Sequence, residues 1–168
     1  MDTNEITEYL KILKNAVSGT AEHTEIQQTE EGPALLFTVA SPFDEKGEIG
    51  CRIMLLPDDS GCVTVEMMMF LFGNIKSDMF SDLDILLNAV NERIMTGSYR
   101  LFDDQGMILF VQSLMLDGSV NEKTAVTLIG KTLSAMEYTV YDTAGVMISY
   151  LGGNTLESIM DELDKGEE

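Results

Sequence analysis

One histidine and two cysteines are the side chains with the most obvious chemistry in this 168-residue chain. His23 stands alone, so no multi-histidine metal centre can form and no second imidazole completes an acid–base pair. Cys51 and Cys62 are too far apart in sequence for a two-residue redox pair or a zinc knuckle. Neither has a histidine close by in sequence to draw off its proton, which a nucleophilic thiol needs. The adjacent acids Asp58-Asp59 and Asp103-Asp104 fall in turn-like stretches, where aspartate is favoured because it hydrogen-bonds nearby backbone. Asp161-Glu162 lies in a polar helical face near the end. A calcium loop needs oxygen ligands at alternate positions, and Asp103-Asp104-Gln105-Gly106 is too short to supply them. Gly145 and the Gly152-Gly153 pair lack the spacing and the lysine of a phosphate loop. These residue types predict no catalytic centre, no metal and no cofactor.

Methionine is the more telling residue. There are twelve, with Met67-Met68-Met69 consecutive. Flexible, polarisable methionine fills irregular cores and also serves surfaces that adapt to several partners. Successive strand residues point to opposite faces, so this run places apolar side chains on both sides of a sheet. Val63, Val65, Met67, Met69 and Leu71 define one face, expected under helices. Thr64, Glu66, Met68, Phe70 and Phe72 define the other, which must be covered by the last helix, a second subunit or a bound chain. Met68, Phe70 and Phe72 are therefore the expected partner-binding residues, joined by Met147 and Ile148 at the far end of the last helix.

Charge narrows the class of partner. Ten basic residues against 29 acids give a formal charge of −19. Such a surface repels phosphates and anionic lipid, so neither nucleic acid nor a membrane is an expected partner. No apolar run reaches the ~18 residues of a membrane span. Met1-Asp2-Thr3-Asn4-Glu5 lacks a basic, apolar leader, and free thiols suit a reducing compartment, so a cytoplasmic location is expected. The acidity either keeps a methionine-rich protein soluble or meets a basic partner.

The elements that must position these residues follow from periodicity. Ile6, Leu10, Leu13 and Val17 make an apolar stripe on a helix from about Thr3 to Ser18, with Asp2 and Glu5 as a capping box. His23–Thr29, Ala34–Ala40, Glu48–Leu56 and Cys62–Phe72 read as strands separated by turn residues. Leu83, Leu86, Leu87, Val90 and Ile94 stripe a second helix, which Thr96-Gly97-Ser98 should end. Tyr99–Phe102 and Met107–Leu116 read as a hairpin. A long helix capped by Asn121 runs on through Ala144, Met147, Ile148 and Leu151 despite Gly145. Beyond Gly152-Gly153, Asn154 to Asp164 is amphipathic, with Asn154 and Glu157 as its expected cap. The result is an α+β, two-layer fold: an antiparallel sheet of about five or six strands with three helices, in the order α-β-β-β-α-β-β-α. Residues 1–151 form the domain and 152–168 an acidic amphipathic tail.

The run Leu86-Leu87-Asn88-Ala89-Val90-Asn91, the strand Tyr99-Arg100-Leu101-Phe102, the turn Asp103–Gly106, the apolar strand Met107–Leu116 and the turn Asp117-Gly118 before a helix resemble the YbjN family. That family is described in terms of bacterial sensory-transduction regulation. The resemblance spans about Asp82 to Val140. Glu92-Arg93-Ile94 stand where the family tends to have a further asparagine and an aromatic, and this chain has no tryptophan. The family's domain is similar in fold to the class I type III secretion chaperones, which are small, acidic, usually dimeric α+β proteins that hold extended client segments. The resemblance brings no catalytic residues with it. It implies a non-enzymatic, chaperone-like or regulatory module that binds a polypeptide segment and forms a homodimer. An acidic inhibitor or immunity-type protein, masking a basic site on a toxin or nuclease, is the alternative that the charge alone suggests.

Overall fold

Period-two alternation in the first half of the chain becomes a meander of four strands. In a computed structural model describing residues 2–19, 21, 23–41, 43–44, 47–117 and 119–165, helix α1 (Thr3–Val17) precedes β1 (Thr24–Thr29), β2 (Gly32–Ala40), β3 (Glu48–Pro57) and β4 (Val63–Phe72). Helix α2 (Phe80–Asn91), β5 (Ser98–Phe102), β6 (Met107–Leu116), α3 (Glu122–Leu151) and α4 (Leu156–Lys165) follow. The six strands form one sheet in the order β1-β2-β3-β4-β6-β5. Every neighbouring pair is antiparallel. Pro42, Glu45 and Lys46 of the expected polar connection lie outside the described residues. So do Gly118 and the final Gly166, Glu167 and Glu168.

The fold is two layers, with one face of the sheet under helices. Leu35 and Phe37 of β2, Ile53 of β3, Met67 and Met69 of β4 and Phe110 of β6 share one cluster with the helix stripes. Leu10 and Leu13 come from α1, Leu83 and Leu86 from α2, and Ile129, Met136 and Val140 from α3. A side chain such as Leu10 or Met67, with no exposed surface, contributes about 1.5–3 kcal/mol by leaving water. Local signals fix the helix starts. The Asp2 carboxylate accepts from the Asn4 and Glu5 backbone at 2.8 and 2.9 Å, while the Asp2 N–H donates to Glu5 at 2.8 Å. This is the expected capping box. Asn121 Oδ1 likewise accepts from the Thr124 N–H at 3.0 Å.

The end of the second helix differs from expectation, whereas the long third helix continues as expected. Helix α2 stops at Asn91, well short of Thr96. Asn91 is turned to another use: its side chain donates to the Tyr99 carbonyl at 2.9 Å and accepts from the Tyr99 N–H at 2.7 Å. It thereby ties β5 to the helix end like an added strand residue. Gly97 is left-handed, with φ 75°, but at the entry to β5. There a Cβ would stand 2.4 Å from the Phe110 ring. Helix α3 is unbroken over 30 residues, Gly145 included. Its far end is fully used, since Met147 is buried and the Tyr150 hydroxyl donates to Asp82 at 3.0 Å.

The C-terminal tail docks on the domain. Ile159 is buried in the main cluster, and Arg93 donates to Asp164 at 3.0 Å. Thr155 supplies the cap of α4, accepting from the Ser158 and Ile159 backbone. The expected cap, Asn154, instead donates its amide to Ser149 Oγ at 2.7 Å. Among the described residues, no helix is long and apolar enough to cross a membrane.

Candidate functional site

The uncovered face of the sheet is the candidate site. Residues that alternate with the core positions fall outside the helix-packed cluster: Leu36, Arg52, Met54, Met68, Phe70, Leu109 and Val111. Cross-strand register sets them in rows. One row runs Leu36, Arg52, Met68, Val111, Ser98, and the next runs Thr38, Gly50, Phe70, Leu109, Arg100. Met54, Leu109 and Val111 are buried at the base of this face, while Leu56, Phe70 and Met115 stand up exposed. Phe70 is 37% and Met115 is 69% exposed, a level at which several large apolar groups on one face call for a partner.

The last helix does not cover this face. The Tyr99 side chain shares the helix-packed cluster and meets Thr143 of α3 at 2.6 Å. Thr143 gives its own proton to the Thr139 carbonyl, so Tyr99 is the donor. Helix α3 therefore lies on the same side of the sheet as α1 and α2.

Polar groups on the open face are incompletely used. Arg52 lies mid-face, 3.4 Å from Glu31 and 3.8 Å from Glu66, and directs a nitrogen at Met68 Sδ at 3.2 Å. Ion pairs with such exposed or long partners contribute little on their own. Arg52 Nε and Thr38 Oγ1 are both buried without a hydrogen-bond partner, and a buried polar atom left in that state costs free energy. Beside them, His23, Glu25, Leu36, Thr38, Gly50 and Phe70 line a cleft of about 520 Å3. A Cβ at Gly50 would meet the Phe70 ring at 3.7 Å, an ordinary contact.

The five residues expected to bind a partner do not form one surface. Met68 and Phe70 share the open face. Phe72 does not: the β4–β6 register shifts between Phe70 and Phe72, which leaves Phe72 opposite Ile108, a residue under the helices. An extra residue in one strand flips every later side chain to the other face. Phe72 accordingly packs on the main cluster and stacks on Phe43 with ring centroids 6.4 Å apart. Met147 is fully buried in that cluster. It follows Val140 and Ala144 along the core stripe of α3 at helical spacing. Ile148, one position on, is 40% exposed but lies on a helix on the far side of the sheet from Met68. Sequence alternation alone could not reveal the bulge, and adjacent apolar helix residues do not share a side.

The other chemistry-bearing residues have structural surroundings. Cys51 and Cys62 are free thiols, the first buried and the second half-buried. They do not face one another, because Cys51 lies opposite Met69 and Cys62 precedes the first β4 pair. Burial, and secondarily the charge of Glu137, pushes the Cys51 thiol up to about 12. Asp58 accepts from Ser60 Oγ at 2.7 Å and from the Ser60 and Cys62 backbone at 2.8 and 3.0 Å. These bonds, led by the Ser60 hydroxyl, hold its carboxyl below the ordinary value and identify it as a turn residue. Among the described residues no group of three or more His, Cys, Asp or Glu could hold a metal ion.

Comparison with known proteins adds little. No family model matches the chain, and no curated protein matches it. A solved structure described as "Crystal structure of YbjN, a putative transcription regulator from E. coli" aligns over 86% of this chain and 93% of its own, with 13% identity and a TM-score of 0.49. That likeness does not make the chain a member of that protein's family.

Proposed function

We propose that the protein is a non-enzymatic interaction module that holds an extended polypeptide segment of a partner against the open face of its sheet. The observation that supports this reading is the face itself: Leu56, Phe70 and Met115 stand exposed on it, over the buried Met54, Leu109 and Val111. An extended chain carries a carbonyl and an N–H at every residue. Phe70 and Met68 would pack against alternate side chains of the segment. In the absence of a partner, a second copy of the chain is proposed to cover the same face.

The test is an array of extended peptides probed with the wild-type chain and with the Met68→Ala/Phe70→Ala double variant. Peptides bound by the wild type should lose about tenfold or more in affinity to the variant, equivalent to at least ~1.4 kcal/mol. The variant should still melt cooperatively. Binding unchanged in the double variant would remove this face as the site, and a variant that fails to fold would assign both residues to the core. Affinity should depend only weakly on salt. A steep fall with salt would favour the masking of a basic site by the acidic surface.

A further inference from the structure

On the helix side of the sheet, a second cavity opens where α3 passes the end of β2 and the start of β3. It measures about 440 Å3. Val39, Ile49 and Met69 form its apolar floor, and Glu137, Tyr138 and Tyr141 line it from α3. A narrower cleft of about 320 Å3 runs between α1 and α3 and shares Val39, Ser134 and Glu137 with the first. Glu137 thus sits at the junction of two clefts with largely apolar walls.

Three features of this junction ask for the same ligand. Tyr138 and Tyr141 are 73% and 64% exposed, an unusual state for two aromatic rings three residues apart on one helix. The Glu137 side chain has no hydrogen bond or ion pair with any described residue. The residue is exposed by area, yet surrounding protein disfavours its charge and raises its carboxyl pKa. Its charge is also felt by the buried Cys51 thiol. A carboxylate without a protein partner, in a cleft lined by two tyrosines over an apolar floor, suits a cation with an aliphatic body. A chain of net charge −19 draws such a cation towards it. An anion would meet repulsion, a neutral apolar ligand would leave Glu137 uncompensated, and one carboxylate is too few oxygen ligands for a hard metal ion.

We propose that this junction binds a primary alkylammonium group, with the ammonium at Glu137 between Tyr138 and Tyr141 and the aliphatic stem along Val39, Ile49 and Met69. A lysine side chain of a polypeptide and a free alkylamine share this chemistry. The site lies on the opposite side of the sheet from the open face and is independent of it.

The experiment titrates 1-pentylammonium into the full chain and follows the Met69 methyl and the Tyr138 and Tyr141 rings by NMR. Saturable shifts of these groups are expected. Glu137→Gln should weaken binding about tenfold or more, and Tyr141→Leu by a smaller factor. Asp59→Asn removes the same charge from the β3–β4 turn and should leave affinity unchanged. Equal weakening by Glu137→Gln and Asp59→Asn would reduce the effect to bulk charge and overturn the site. Binding of 1-pentanol as tight as that of 1-pentylammonium would overturn it as well, and so would the absence of shifts. A lysine tripeptide and its norleucine counterpart distinguish the sources. Lysine-dependent binding about tenfold tighter than that of pentylammonium assigns the site to a polypeptide, whereas exclusion of the tripeptide assigns it to a free amine.

Discussion

Cys51 and Cys62 are the same chemical group in different surroundings, and their reactivity should differ accordingly. Cys51 is 2% exposed and opposite Met69 inside the sheet, whereas Cys62 is half-buried at a turn. Reaction with an exposed-thiol reagent at pH 8 should consume one thiol quickly and the second only on unfolding; two fast thiols would contradict this burial. Cys51, together with Tyr99, sets the alkaline limit of the fold. Burial pushes Cys51 from an ordinary 9.0 to about 12, and Tyr99 from 10.0 to about 12. Within that interval the folded chain keeps protons that the unfolded chain has lost. Their stabilisation is complete below about pH 9 and is lost as pH rises towards 12. Melting temperatures should therefore fall through this window, and a flat profile from pH 9 to 12 would refute the assignment. Asn91 makes a further test at this scale. Removing its side chain in Asn91→Ala strands both backbone groups of Tyr99 and should cost about 1–3 kcal/mol, a loss of several degrees in Tm. An unchanged Tm would mean that water replaces both bonds without loss.

At the scale of elements, most of the fold was legible because its signals are local. Alternation in β2, β3 and β4, the Asp2–Glu5 capping box, the Asn121 cap and the extent of β6 follow from side-chain period and backbone satisfaction. The misreadings have non-local causes. The end of α2 is set by Asn91 reaching β5, a contact across the turn that periodicity does not encode. The bulge before Phe72 depends on how β4 meets β6, a strand that enters the chain after a helix and another strand. The open face was accordingly half legible: alternation places Met68 and Phe70 on it, but does not reveal the rotation of Phe72 or the burial of Met147. Nor does sequence spacing place Glu137, Tyr138 and Tyr141 beside Val39 and Ile49, which lie some ninety residues earlier. The tail is the element whose attachment is simplest to test. Ile159 is buried, Arg93 pairs with Asp164, and the Gly152-Gly153 turn folds α4 back onto α2 and α3. Deleting Gly152–Glu168 should uncover apolar surface around Val146 and lower Tm by several degrees, each lost kcal/mol corresponding to about 2–4 °C at this chain length. An undiminished Tm would show that α4 contributes no net stability.

At the scale of the whole molecule, charge and apolar surface pull in opposite directions. The open face exposes Leu56, Phe70 and Met115, which favours covering it with a second copy. The net charge of −19 opposes bringing two copies together. Screening decides between them, because the Debye length falls from about 30 Å at 0.01 M salt to about 10 Å at 0.1 M. The repulsion therefore fades with salt, whereas apolar burial does not. Light scattering should find a species of twice the 18.6 kDa chain mass, more populated at higher salt and higher protein concentration. Phe70→Glu adds a charge to the exposed apolar part of the face and should return the protein to monomer at all salt concentrations. A peptide that occupies the face should do the same, because partner and second copy compete for one surface. A wild-type monomer at every concentration and ionic strength would sink self-association through this face and leave the open sheet wholly to a partner chain. A dimer indifferent to Phe70→Glu would place the contact between copies elsewhere, away from Phe70 and the open face.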